Sequence, residues 1–211
     1  MKSEDKKKIK NGLIFIADIA LNVAILFVLV FSIREFFVAP FQIFGPSMCD
    51  TLNNYDEECQ DGYGEYIILK KWHYLFNEPE RYDIVVFHPP HKEDTFYIKR
   101  IIGMPGEEVN IRDGNIFIDG KNLEEEYLNE ENHGATKAFV KTRFVVPNNS
   151  YFLLGDNRTQ STDSRTCFEN EKFGCEKDKA TSFITKENIE GKAWIVLWPF
   201  EYSRVIKTPS P

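Results

Sequence analysis

A lysine stands inside a strand-like run, Phe96-Tyr97-Ile98-Lys99-Arg100-Ile101-Ile102-Gly103. Alternation puts Tyr97, Lys99 and Ile101 on one face and Ile98, Arg100 and Ile102 on the other. An amine held among apolar neighbours gives up its proton more readily, because burial disfavours the charged form. At a free pKa near ~10.4, only about one such amine in ~2,500 is neutral at pH 7. Lowering that pKa to ~7 takes roughly 4.6 kcal/mol of desolvation, at ~1.36 kcal/mol per unit. Neutral, the amine is a general base. Taken alone, the run reads by default as a lysine snorkelling from a half-exposed strand.

Two further segments carry matching chemistry. Ser47 follows Gly45-Pro46, a tight turn suited to presenting a hydroxyl and leaving backbone N–H groups free for an oxyanion. Gly155-Asp156-Asn157-Arg158-Thr159-Gln160-Ser161-Thr162-Asp163-Ser164-Arg165 begins where a strand ends, and by itself reads as an ordinary polar turn. Neither metal nor cofactor is expected: His73, His88, His91 and His133 lack metal-site spacing, and no Cys-x-x-Cys pair occurs. A Ser–Lys pair needs no histidine.

These segments must be positioned by one compact domain with a segment to spare, which is what 211 residues allow. Eighteen Phe, nine Tyr and three Trp suit a β-rich core. A net charge of −7 argues against a nucleic-acid partner. Met1 to Lys10 holds five lysines, and Leu13 to Phe31 is a nineteen-residue apolar stretch broken only by Asp18 and Asn22. At ~1.5 Å per residue that stretch crosses a hydrocarbon core of about 30 Å. The expected organisation is a basic tail over 1–11 on the cytoplasmic side, an uncleaved anchor over 12–33, and a domain over 34–211 on the far side.

Short apolar runs punctuated by turns fill that domain. Strands are expected over Tyr66–Trp72, Arg81–His88, Asp94–Gly103, Phe139–Val146, Ser150–Leu154 and Ala193–Pro199. Asp113-Gly114 marks a hairpin between Val109–Arg112 and Asn115–Ile118. The acidic stretch 53–66 and the polar stretch 121–137 read as surface insertions. The aromatics near the anchor (Phe36, Phe37, Phe41, Phe44, with Ile43) and near the C-terminus (Trp194, Trp198, Phe200) read as a surface on the lipid interface or as core. The domain is therefore expected to be mainly β, a barrel or sandwich.

In this order and behind an anchor, Val38–Leu52 with Ser47, Tyr97–Glu107 with Lys99, and Gly155–Arg165 resemble the type I signal peptidases, the membrane-bound Ser–Lys leader peptidases. The resemblance covers about Val38 to Trp198. It implies a signal-peptidase-like β catalytic domain that cuts leader peptides from exported preproteins. It implies Ser47 as nucleophile, Lys99 as general base, and Ser161 as a hydrogen-bond partner orienting the Lys99 amine. Asp156 with Arg100, and Asp163 with Arg165, would be structural ion pairs. The oxyanion turn would comprise Gly45, Ser47 and Met48, with shallow pockets for small residues lined by groups such as Phe44, Ile101 and Met48. Exported preproteins and the lipid bilayer are the implied partners, and the chain is expected to act as a monomer.

Some positions depart from the pattern. Gly45 stands where some relatives carry a serine that helps the oxyanion hole, and Asp50 stands where the family usually has proline. Tyr82, in Tyr82-Asp83-Ile84-Val85-Val86-Phe87, occupies a place where glycine is often found. Cys49 is an alternative nucleophile two residues from Ser47. The four cysteines fit an oxidising exterior. A Cys167–Cys175 bridge is expected, and a Cys49–Cys59 pairing is left open. The competing functions are a specialised pilin-type Ser–Lys processing peptidase and a tethered β-domain that binds exported chains without cutting them.

Overall fold

The structure, a computed structural model, describes residues 3–55, 58–90, 92, 94–139, 141–169, 175 and 181–209. Contacts divide the chain into two compact units, Met1–Ala39 and Pro40–Pro211.

The first unit is dominated by helix α1 (Ser3–Phe36). Its Lys10–Arg34 portion has a mean hydropathy of 2.8 and is long and apolar enough to cross a membrane. Asn22 turns its side-chain amide back to the Asp18 carbonyl at 2.8 Å, which hides one of the two polar interruptions from a hydrocarbon surround.

The second unit is mainly β, as the sequence leads one to expect. Its strands run in chain order β1 (Val38–Phe44), β2 (Asn54–Tyr55), β3 (Glu58–Cys59), β4 (Tyr63–Lys70), β5 (Ile84–Phe87), β6 (Tyr97–Gly103) and β7 (Glu108–Arg112). They continue as β8 (Asn115–Ile118), β9 (Lys121–Asn122), β10 (Arg143–Val145), β11 (Ser150–Leu154), β12 (Ile184–Thr185), β13 (Ile189–Trp198) and β14 (Arg204–Val205). Among the described residues one eight-stranded sheet has the order β1-β4-β13-β5-β6-β11-β12, with β14 on β13. A second sheet has the order β10-β7-β8-β9, and β2 pairs with β3. Irregular register between β13 and both β4 and β5, and between β11 and β6, bends the large sheet.

The Asp113-Gly114 hairpin forms as expected, with φ of 48° and 79° at the two turn residues. These positive angles give the turn whose twist matches the flanking strands. Other expectations shrink or move. The Arg81–His88 strand is only Ile84–Phe87, because Tyr82 turns left-handed at φ 70°. Phe139–Val146 contributes only Arg143–Val145, and a short helix α2 (His73–Phe76) follows β4. His91 lies outside the described residues.

Neither expected insertion is simply surface. In the first, Asn53 and Glu65 are fully buried and exchange hydrogen bonds, Asn53 N–H to Glu65 Oε2 at 2.9 Å and Glu65 N–H to Asn53 Oδ1 at 2.8 Å. In the second, Glu125, Leu128, Asn132 and Thr136 are buried. Of the apolar residues singled out near the anchor and the C-terminus, Phe36, Phe37, Phe44, Trp198 and Phe200 are exposed, whereas Ile43 belongs to the core.

Candidate active site

Strand β6 lies between β5 and β11, with Lys99 opposite Val85 and Arg100 opposite Ile84 and Leu154. The flanking strands bury it on both edges, so Lys99 is only 4% exposed and Arg100 not at all. Tyr97 and Ile101 pack in one apolar cluster with Val85, Phe87 and Leu153, while Ile98 packs against another around Ile67 and Val86. The alternation read from the sequence therefore holds. Lys99 sits in this wall as a buried amine, not a snorkelling one.

Its Nζ lies 2.6 Å from Ser47 Oγ and 2.7 Å from the Ile98 carbonyl oxygen. Burial lowers the Lys99 pKa from its ordinary value to about 8. Asp163 and Asp156 oppose that shift, and Arg165 adds to it. Each carboxylate is forked by a guanidinium. Arg100 donates to Asp156 from Nε at 2.8 Å and Nη2 at 2.6 Å, and Arg165 donates to Asp163 from Nε and Nη2 at 2.8 Å each. Burial alone would raise the Asp163 carboxyl, but Arg165 holds it below its ordinary range. Both anticipated ion pairs are thus present and buried.

Ser47 is presented by a turn in which Cys49 N–H donates to the Pro46 carbonyl at 3.0 Å and Leu52 N–H to the Met48 carbonyl at 2.7 Å. Gly45 opens that turn at φ 83°, a conformation in which any side chain would be strained. Among the described residues the Ser47 amide N–H donates to no protein group. The Asn157 N–H donates to the Ser47 carbonyl at 3.1 Å, joining the first and third segments directly. Gly155 is required by close approach: a Cβ there would meet Ser161 Oγ at 2.1 Å and the Ser47 carbonyl oxygen at 2.4 Å.

All three sequence segments therefore converge. Ser161 comes with them but makes no hydrogen bond to Lys99; its buried hydroxyl lies near Asp163 without meeting hydrogen-bond geometry. Cys49 is bonded to Cys59, and Cys167 to Cys175, so Cys49 offers no thiolate as a nucleophile.

A groove of about 410 Å³ runs to this point, with Phe44, Gly45, Ser47, Ile98, Lys99 and Thr162 in its wall. Met48 and Ile101 do not line it, because both are fully buried behind the wall. Sequence reasoning missed three supports. Thr51 Oγ1 donates to Asp156 Oδ2 at 2.6 Å. Arg158 is buried against Glu125, from Nη1 to Oε2 at 2.9 Å. Arg204 reaches the Thr51 carbonyl at 2.8 Å and Glu65 at 2.6 Å. Nothing local in the sequence marks these partners.

Comparison with known proteins adds to this geometry. Residues 16–198 match the family described as signal peptidase, peptidase S26. The chain is 33% identical over 212 residues to signal peptidase I S of Bacillus subtilis strain 168, an alignment covering 97% of this chain and 98% of that protein. It is 30% identical over 193 residues to signal peptidase IB of Staphylococcus aureus strain Mu50, covering 85% and 88%. A crystal structure of a signal peptidase I from Enterococcus faecalis V583 is 31% identical and covers 55% of this chain and 97% of its own, with a TM-score of 0.41. The chain belongs to the signal peptidase family, peptidase S26, in its type I branch of serine peptidases.

Proposed function

We propose that this chain removes the signal peptides of exported preproteins at the outer face of a membrane, with Ser47 as nucleophile and the neutral amine of Lys99 as general base. The observation that carries this reading is the 2.6 Å separation of Ser47 Oγ and Lys99 Nζ inside an apolar wall. With a pKa of about 8, Lys99 is neutral in roughly one molecule in ten at pH 7, against about one in ~2,500 for a free amine.

The proposed steps are these. Ser47 Oγ attacks the scissile carbonyl carbon while its proton passes to Lys99 Nζ. The carbonyl oxygen takes up negative charge and accepts a hydrogen bond from the Ser47 N–H. The C–N bond then breaks, and the Lys99 ammonium gives its proton to the departing amine. An ester on Ser47 remains. Water, deprotonated by Lys99, attacks that ester, and the leader leaves as a carboxylate with the Ser47 proton restored.

The groove beside Ser47 is lined mainly by apolar groups, among them Phe44 and Ile98, which suits apolar side chains before the cut. Every group in this mechanism comes from one chain, so a monomer suffices. The lysine-rich end before the apolar helix favours a cytoplasmic tail and an extracytoplasmic catalytic domain, held at the bilayer by that helix. The detergent-solubilised chain should cleave a preprotein at one site, read by identifying the new N-terminus. Ser47→Ala should lower turnover by at least about 10³-fold. A Ser47→Ala variant that still cuts at the same bond would refute the assignment.

A further inference from the structure

The turn that follows Ser47 is tied to three successive residues of the Gly155–Arg165 run. Two ties are direct: the Ser47 carbonyl to the Asn157 N–H, and Thr51 Oγ1 to Asp156 Oδ2. The third passes through Asp50 and a stretch outside all three motif segments. Asp50 Oδ2 accepts from the Asn129 N–H at 2.8 Å, and Oδ1 accepts from Asn132 Nδ2 at 2.9 Å. Asn132 Oδ1 in turn accepts from the Arg158 N–H at 2.7 Å. The Arg158 carbonyl accepts from Arg165 Nη1 at 3.0 Å, which leads back to the Asp163 pair beside Lys99. Asn132 is 4% exposed, so its amide cannot exchange these partners for water.

We propose that Asp50 and Asn132 are positioning residues which, through the Arg158 backbone, hold the Ser47 turn in register with the Lys99 wall. The proposal rests on the Ser–Lys reading. Two donors, the Asn129 N–H and Asn132 Nδ2, converge on the side chain at position 50, which demands a group that only accepts. The plainer alternative is that Asp50 merely caps the Asn129–Asn132 turn. In that case exchanging the two polar groups would leave turnover untouched.

The test is a reciprocal exchange in the full chain. Asp50→Asn leaves one acceptor for two donors, so its NH2 must face either the Asn129 N–H or the Asn132 amide, donor against donor. Asn132→Asp sets two carboxylates against each other. In the double variant the bond reverses: the amide at position 50 donates to the carboxylate at 132, whose other oxygen still receives the Arg158 N–H, and only the longer Asn132 Nδ2 bond to Asn129 Oδ1, 3.2 Å, is lost.

With a preprotein substrate, each single variant should lose about tenfold in kcat while KM moves less than about twofold. The double variant should return to within about threefold of the parent. Single variants with full kcat, a loss confined to KM, or a double variant no faster than the slower single would each overturn the relay. Ser47→Ala run in parallel separates the two readings. Activity surviving there overturns the Ser–Lys assignment, whereas an uncoupled exchange beside an inactive Ser47→Ala overturns the relay alone.

Discussion

At Lys99 two electrostatic demands oppose each other. Burial strips the amine of water and favours its neutral form, while the carboxylates of Asp163 and Asp156 favour the ammonium. Each carboxylate is forked by an arginine, and desolvation prevails. Lys99→Arg should accordingly be inactive, by at least about 10³-fold in kcat, because a guanidinium keeps its proton at any working pH. Appreciable turnover in that variant would remove Lys99 from the role of base. Gly155→Ala tests the close packing behind the dyad. Its methyl would fall on Ser161 Oγ and the Ser47 carbonyl oxygen, so turnover should fall at least about tenfold with the chain still folded. A fully active Gly155→Ala would show that the third motif does not fix Ser47.

At the scale of elements, what was legible in the sequence was local. The Asp113-Gly114 hairpin announces itself because a two-residue turn with positive φ selects its own residues. Strand β6 does so because isoleucines flank Lys99 and Arg100 on both sides. The three motif segments are readable as short runs, and the fold brings them together. What was not legible is what joins them. Glu125 sits in an acidic run that looks like solvated surface, and only the fold carries it to Arg158, 33 residues later in the chain. Arg204 meets Thr51 across 153 residues for the same reason. Tyr82 shows the converse: it takes a left-handed backbone at φ 70° that glycine adopts most readily, yet its phenol donates to the Glu124 carbonyl at 3.1 Å. If the Glu125–Arg158 pair is structural, Glu125→Ala strands a buried guanidinium and should cost about 3 kcal/mol. For a chain of this size that lowers the melting temperature by roughly 6–12 °C. An unchanged melting curve would mean that the second stretch carries no structural weight.

At the scale of the whole molecule, a lysine-rich segment precedes the apolar stretch of α1 and an acidic unit follows it. Lysines resist translocation, whereas acidic residues cross with little penalty. Protease added outside intact spheroplasts should therefore digest the unit after Ala39 and spare the lysine-rich end; protection of the Gly155–Arg165 region would invert the topology. The central claim, that the neutral amine of Lys99 takes the proton of Ser47, is tested most directly by the pH dependence of kcat/KM for the full chain on a preprotein. The neutral form is the active one, so the rate should rise with pH through an apparent pKa of about 8 and then level off. A rate still climbing beyond pH ~10, where an ordinary lysine titrates, would contradict the account.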